Sequence, residues 1–277
     1  TATQITPGAA CTPTTTSSKD CQVASTGLDA ARGVPVTKTD VAGLVTSLTY
    51  DALGRLTGVW LPNENKANGA PASMTYSYAL SATAPSVVST NTLLDNGSYS
   101  VNETLYDAML RTLQTQVTAE NGSTTVSDTQ YDSHGWTVVT NNSYAISGNP
   151  GSSLVSVSQV SIPATTVTDH DAMGRTTRST DEHDGVQTWN TRTAYTGDRT
   201  TVIPPTGAVA TTTVTDARGQ KTELDQFTVA PTVSGNATDG YTTTGGTSHA
   251  TRYGYDAAGH QNKVTGPDNA VWQFGYD

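Results

Sequence analysis

The chain has 277 residues, a net charge of −10, and low fractions of hydrophobic (34%) and charged (14%) residues. Typical soluble domains carry roughly 45–50% and 25% of these classes. Thr, Ser, Gly and Asn make up the difference, which favours many short strands joined by turns. The acidic balance argues against a nucleic-acid partner, because such a partner requires clustered cations. No stretch approaches the roughly 18 apolar residues of a membrane span, so none is predicted.

Residues 1–43 form an N-terminal segment that begins with a Thr-, Ser- and Pro-rich stretch. Cys11 and Cys21 are predicted to form a disulfide that closes a small loop, since they match neither a C-x-x-C motif nor a metal-ligand pattern. Such a bond indicates an extracytoplasmic protein. The chain starts at Thr1 without Met or a signal peptide, which indicates a processed or excised piece of a longer protein.

The tetrapeptide Asp-x-x-Gly recurs along residues 44–277, usually after Tyr, His or Thr. Asp at the first position of a type I turn accepts backbone N–H bonds, and Gly at the fourth position takes positive φ and forms a bulge. Each copy therefore predicts a hairpin tip with a structural Asp and Gly. The copies pair Asp51 with Gly54, Asp132 with Gly135, Asp171 with Gly174, Asp216 with Gly219, and Asp256 with Gly259.

A degenerate copy starts at Tyr106-Asp107 and has Leu110 where Gly belongs. We expect strain at this residue or a different turn shape.

A second set of turns lies between the tips, for example at Asn121-Gly122, Asp184-Gly185 and Thr206-Gly207. Turns at this regular spacing predict an all-β fold, a long antiparallel array of hairpins. Three stretches rich in Gly, Pro, Ser and Thr interrupt the spacing, near 62–73, 144–164 and 228–250. We interpret them as insertions at the edge of the array.

These residues resemble a known family. Tyr195-Thr196-Gly197-Asp198-Arg199, followed by Thr215-Asp216-Ala217-Arg218-Gly219, is similar to the YD repeat of Rhs-type proteins, a family that includes bacterial polymorphic toxins, Tc toxin shell components and teneurins. The resemblance covers roughly residues 44–277. It implies a curved or spiralling β-strip that encloses a toxin domain or supports adhesion modules. The terminal boundary signature of complete bacterial shells is absent, so the resemblance implies an open strip here and a toxin domain outside this chain.

No residue is predicted to be catalytic and no cofactor is predicted, because the aspartates follow the repeat, one per turn. A glycan-acting enzyme is the third hypothesis, and would need a carboxylate pair drawn from different repeats. Asp181, Glu182 and Asp184 form an acidic cluster whose oxygens would suit Ca²⁺, but the favoured interpretation is a solvated turn and no metal site is predicted.

The function predicted is that of a structural segment of a secreted or cell-surface bacterial protein. Its partners would be other repeats and a toxin or effector domain of the same polypeptide. The alternative is an adhesion or carbohydrate-binding module, in which Trp136, Trp189 and Trp272 would stack on a cell-surface glycan. The competing interpretation of these tryptophans is that they line the inner face of the sheet.

Overall fold

The computed structural model describes residues 2–5 and 23–277. Cys11 and Cys21 lie outside the described residues, so their disulfide stays a prediction. The chain divides into two compact units. The first comprises Thr1–Ser127 with Ala145–Ser156, and the second comprises Asp128–Tyr144 with Val157–Asp277.

The first unit is a run of antiparallel strands that pair in chain order, from β1 with β2 to β8 with β9. Thr- and Val-rich segments form the strands, because β-branched residues suit a pleated surface. The strands are β1 (Ala2–Ile5), β2 (Val23–Leu28), β3 (Pro35–Thr39), β4 (Val45–Tyr50), β5 (Leu56–Trp60), β6 (Met74–Ala79), β7 (Ser86–Leu93), β8 (Tyr99–Tyr106) and β9 (Thr112–Thr118). Strand β10 (Thr124–Tyr131) has residues in both units.

The second unit continues the antiparallel pairing, with one exception. Strand β17 pairs with β20, and the two strands between them form a separate hairpin. The strands are β11 (Thr137–Ile146, whose last two residues belong to the first unit), β12 (Thr165–His170), β13 (Thr176–His183), β14 (Val186–Thr196), β15 (Arg199–Ile203), β16 (Thr211–Thr215), β17 (Lys221–Val229), β18 (Thr232–Asn236), β19 (Gly240–Thr244), β20 (Thr247–Tyr255), β21 (Gln261–Thr265) and β22 (Val271–Gln273).

The predicted fold class, an all-β antiparallel hairpin array, is confirmed. Within the described residues, twenty strands belong to one sheet and two to the separate hairpin. The helical elements of this part of the chain are two single 3₁₀ turns, Lys66–Asn68 and Gln159–Ser161. No pairing within it joins β22 back to β1, so the sheet is open.

The three stretches that interrupt the repeat adopt different structures. Residues 62–73 contain the first 3₁₀ turn, and 228–250 contain the β18–β19 hairpin. That hairpin packs on β14 through Ala194, Ala237 and Tyr241, which are at most 8% exposed.

Part of the stretch 144–164 forms a strap (residues 148–155) that lies against β9. Gln114 and Gln116 are only 2% and 1% exposed, and their side-chain amides bind the strap backbone. Gln114 Nε2 donates to Val155 O at 2.8 Å, while its Oε1 accepts the Val155 N–H at 2.9 Å. Gln116 Oε1 accepts from Gly151 N, and its Nε2 donates to the backbone oxygen of Ser153. The two buried amides and the strap backbone thus supply each other's hydrogen-bond partners, as buried polar groups require.

Candidate functional site: the hairpin tips

The tip at Asp51 shows how the repeat motif folds. The Gly54 N–H donates to Asp51 O at 3.1 Å, and the Asp51 N–H donates to Arg55 O at 2.9 Å. The carboxylate Oδ1 of Asp51 accepts from the backbone N–H groups of Leu53 and Arg55, each at 2.9 Å. Gly54 has a φ of +79°, a conformation open to Gly at little cost. The Asp51 carboxylate therefore stabilises its own turn.

The other Asp-x-x-Gly tips have the same backbone. In each, the glycine N–H donates to the aspartate carbonyl oxygen, and the aspartate N–H donates to the carbonyl four residues on. At the tips of Asp51, Asp171, Asp216 and Asp256 the pairing also shifts by one residue just before the aspartate, which is a bulge. The glycines have positive φ: Gly135 +87°, Gly174 +78°, Gly219 +78° and Gly259 +93°.

The degenerate tip keeps this shape despite its leucine. Leu110 has a φ of +60° and donates its N–H to Asp107 O at 3.0 Å, as Gly does elsewhere. Its side chain is 70% exposed. The hydrogen bonds of Asp107 hold the turn in its usual shape. The expected strain at Leu110 is therefore present, and the alternative of a different turn shape is not.

The side chain that follows the glycine completes three of the tips. Arg55 Nε donates to Asp51 Oδ2 at 2.7 Å, and Arg111 and Arg175 do the same to Asp107 and Asp171. Histidine contacts the aspartate at two further tips. His260 takes this place and lies 3.0 Å from Asp256, whereas His134 precedes its glycine and lies 3.3 Å from Asp132.

These contacts lower the pKa of the tip aspartates. For Asp51, Asp107 and Asp256 the largest cause is the backbone N–H of the residue four positions on. For Asp132 and Asp171 burial acts in the opposite direction, but the backbone and side-chain hydrogen bonds together outweigh it and the pKa is again lowered.

Four tyrosines have a role that the sequence did not reveal: they join successive hairpins. In each case the hydroxyl donates to the backbone oxygen of the fifth residue after a tip aspartate. Tyr195 reaches Thr176 O at 3.1 Å, and Tyr255 reaches Lys221 O at 2.8 Å. Two further contacts follow the rule, from Tyr78 to Leu56 O and from Tyr276 to Gln261 O.

The tip arginines strengthen this link by lying over the same rings. The guanidinium of Arg175 is 4.3 Å from the ring centroid of Tyr195, and that of Arg55 is 4.5 Å from Tyr78. A cation over an aromatic face is attracted to the ring electrons. One arginine thus connects the carboxylate of its own turn with the tyrosine of the next hairpin. The motif therefore holds neighbouring hairpins side by side.

The comparisons with known proteins agree with this repeat. Residues 31–59, which include the tip at Asp51, match the RHS Repeat family. A crystal structure of TcdB2-TccC3 superposes with a TM-score of 0.64 at 18% identity, over 89% of this chain and 14% of that chain. Residues 31–59 thus carry a repeat of the YD (Rhs) type. A structure of a Photorhabdus luminescens Tc holotoxin pore, with the TccC3 mutation D651A, gives a TM-score of 0.63 at 17% identity, over 89% of this chain and 17% of that one.

The chain therefore spans less than a fifth of the solved chains that it resembles. At these identities the likeness concerns the fold. No curated protein matches the chain. Among the described residues no helix is long and apolar enough to cross a membrane.

The acidic cluster at the end of β13 does not converge on one point. Asp181 Oδ1 accepts from Thr166 Oγ1 at 3.0 Å, and its Oδ2 accepts from Trp189 Nε1 at 2.7 Å. Asp184 lies in the turn with a φ of +50° and pairs with His183 at 3.4 Å. Residues 2–5 and 23–277 contain no group of three or more His, Cys, Asp or Glu placed to hold a metal ion.

The three candidate tryptophans lie in different surroundings. Trp136 is half-buried between His134, with ring centroids 4.5 Å apart, and His170, at 5.5 Å. It also packs on Gly174, where an added Cβ would come within 2.8 Å of its ring. Trp189 and Trp272 are 55% and 53% exposed. The structure does not bring the three rings together, and two of them are open to solvent.

Proposed function

We propose that this chain is a non-catalytic structural segment of a secreted or cell-surface bacterial YD-repeat protein. It encloses or presents a toxin or effector domain that lies elsewhere in the same polypeptide. The observation that carries the proposal is the coupling of hairpins by Asp, Arg and Tyr. The tip aspartates bind their own turns, and Arg175 and Tyr195 join neighbouring hairpins. Such groups stabilise a wall of paired strands.

The likeness to the TcdB2-TccC3 structures supports a role as part of a larger repeat assembly. The test is limited proteolysis of the parent polypeptide. We expect a non-repeat domain to resist protease when it is joined to the complete strip, and to be digested when it is expressed alone. Equal digestion rates in the two forms would contradict enclosure, and display of the domain on intact cells, detected by antibody labelling, would then separate presentation from enclosure.

The second candidate is an adhesion or carbohydrate-binding module, and exposed tryptophans favour it. The indole of Trp189 is held by its hydrogen bond to Asp181 while more than half of its surface stays open. Aromatic rings fixed in this way are suited to stacking on sugars. A glycan array measures this directly: binding that is lost in W189A but kept in L53A, which truncates an exposed tip residue, would support it. No signal above background would remove this candidate.

A further inference from the structure

A polar cleft of about 1220 Å³ lies within the second unit. Strands β12 to β14 and the loop after β15 contribute one wall, and the tip of the β18–β19 hairpin contributes another through Asn236 and Asp239. The hairpin is anchored there because Thr177 Oγ1 donates to Ala237 O and Tyr241 is buried against Ala194. The insertion at 228–250 therefore builds a cleft that the repeat alone would not have.

Three charged residues cross this wall in one row. Asp169, Arg178 and Arg192 are direct cross-strand partners on β12, β13 and β14, so their side chains share a face. Arg178 is neutralised, since its Nε lies 2.7 Å from Asp169 Oδ2. Arg192 faces a like charge instead. Its guanidinium lies 5.9 Å from the ring centroid of Tyr241 and has no hydrogen bond or ion pair within the described part of the chain.

Asn190 lies two positions before Arg192 on β14, on the same face and roughly 7 Å away along the strand. Its amide likewise has no hydrogen-bond partner among the described residues. Trp189 also borders the cleft, but its register partner is Asp181, whose carboxylate holds its indole on the opposite face. The cleft is thus built around an unpaired guanidinium and a free amide rather than around a tryptophan.

We propose that this cleft binds an acidic sugar unit, with Arg192 holding the carboxylate and Asn190 and the hairpin tip holding the hydroxyls. A planar guanidinium matches a carboxylate with two parallel hydrogen bonds. The Asn190 amide and the Asp239 carboxylate suit hydroxyls, which both donate and accept. The Asn236 amide is bound within its own turn and holds Asp239 in place. The inference extends the carbohydrate-binding candidate and is independent of the scaffold role.

An acidic peptide fits this cleft less well than a sugar does. Extended peptides bind sheets by pairing with a free strand edge. The strands of the wall, β12 to β14, are each already paired on both sides. Only their side chains are available to a ligand, and these are polar.

The test is titration calorimetry of the 277-residue chain with tetragalacturonate, its methyl ester and a tetraglutamate peptide. We expect binding of the acid, and a loss of about ten-fold or more in affinity for the neutral ester and for R192Q, because a charge-assisted hydrogen bond is removed. R192K should keep part of the affinity, since it retains the charge without the fork. R218Q removes the same charge from an exposed tip outside the cleft and should stay within about two-fold of the wild type.

R192Q also removes the repulsion between Arg178 and Arg192, so its melting temperature should equal or exceed that of the wild type. Loss of binding in R192Q is then not a loss of folding. Absence of tetragalacturonate binding, equal loss in R218Q, or tighter binding of tetraglutamate would each overturn the inference. If neutral glycans bind through Trp189 while tetragalacturonate does not, this inference fails and the carbohydrate-binding candidate stands.

Discussion

Leu110 occupies a backbone conformation that glycine takes at the other tips. Its φ of +60° is unfavourable for a residue with a Cβ, by roughly 1–2 kcal/mol. Its side chain is 70% exposed, so little burial is lost on truncation. We expect L110G to raise the free energy of unfolding by about 0.5–1 kcal/mol, since glycine's own entropic cost offsets part of the relief. Urea unfolding measures this.

The matched control for Leu110 is G54L, which puts leucine into the corresponding place at another tip, where φ is +79°. It should lower the free energy of unfolding by about 1–2 kcal/mol. A destabilised L110G together with a neutral G54L would show that this conformation carries no penalty in these turns.

The tip aspartates make the fold sensitive to acid. Their folded-state pKa values lie below the ordinary 3.8 of an unfolded aspartate. A carboxyl group of this kind contributes stability above its unfolded pKa, and the contribution is lost as the pH falls through the folded pKa. We therefore expect the urea midpoint to hold at neutral pH and to fall below about pH 4, with the loss continuing as the pH is lowered further.

Asp171 offers a control for this acid dependence. D171N keeps an oxygen for the backbone N–H groups but loses the ion pair with Arg175, which is 2.7 Å long. The variant should be less stable than the wild type at pH 7, and the difference should shrink as the pH falls through the folded pKa. A constant difference between pH 7 and pH 3 would contradict the assignment.

At the scale of the hairpin, the tyrosine hydroxyls should contribute to the pairing of neighbours. Tyr195 Oη donates to Thr176 O at 3.1 Å in half-buried surroundings. Y195F leaves that carbonyl without this donor, and we expect a loss of about 1 kcal/mol in the free energy of unfolding. Y253F is the matched control, because the Tyr253 hydroxyl has no hydrogen bond in the part of the chain that the structure describes. Equal effects in the two variants would assign the loss to the ring environment instead.

At the scale of the molecule, the contacts within single turns could be predicted from the sequence, whereas the contacts between residues far apart in the chain could not. The tips could be predicted because the hydrogen bonds of Asp51 span at most four residues, so both partners lie within the motif. The tyrosine links join residues 15 to 34 positions apart, from Tyr276 with Gln261 to Tyr255 with Lys221. No short pattern marks the accepting carbonyl, because any residue supplies one.

The strap and the cleft escaped prediction for the same reason. Gln116 binds Ser153 across 37 positions, and a glutamine in a strand gives no sign that it will be buried. The Gly-rich stretch 228–250 predicted an insertion, but its docking on β14 depends on small buried residues such as Ala194 and Ala237. Small residues are compatible with many environments, so their packing partners appear only in three dimensions.

The open edge at β22 leads to a prediction for the whole chain. Within the described residues β22 pairs only with β21, and Val271, Trp272 and Phe274 beside that edge are 51%, 53% and 48% exposed. A free edge with exposed apolar residues is a template for pairing with another chain. The net charge of −10 opposes such contact, and salt screens it. We expect sedimentation to show self-association that rises with protein concentration and salt, and W272K to reduce it. L53K introduces a lysine at a tip residue that is 75% exposed and away from an edge, so it should have little effect on self-association. Equal suppression by both variants would point to general charge repulsion instead of edge pairing.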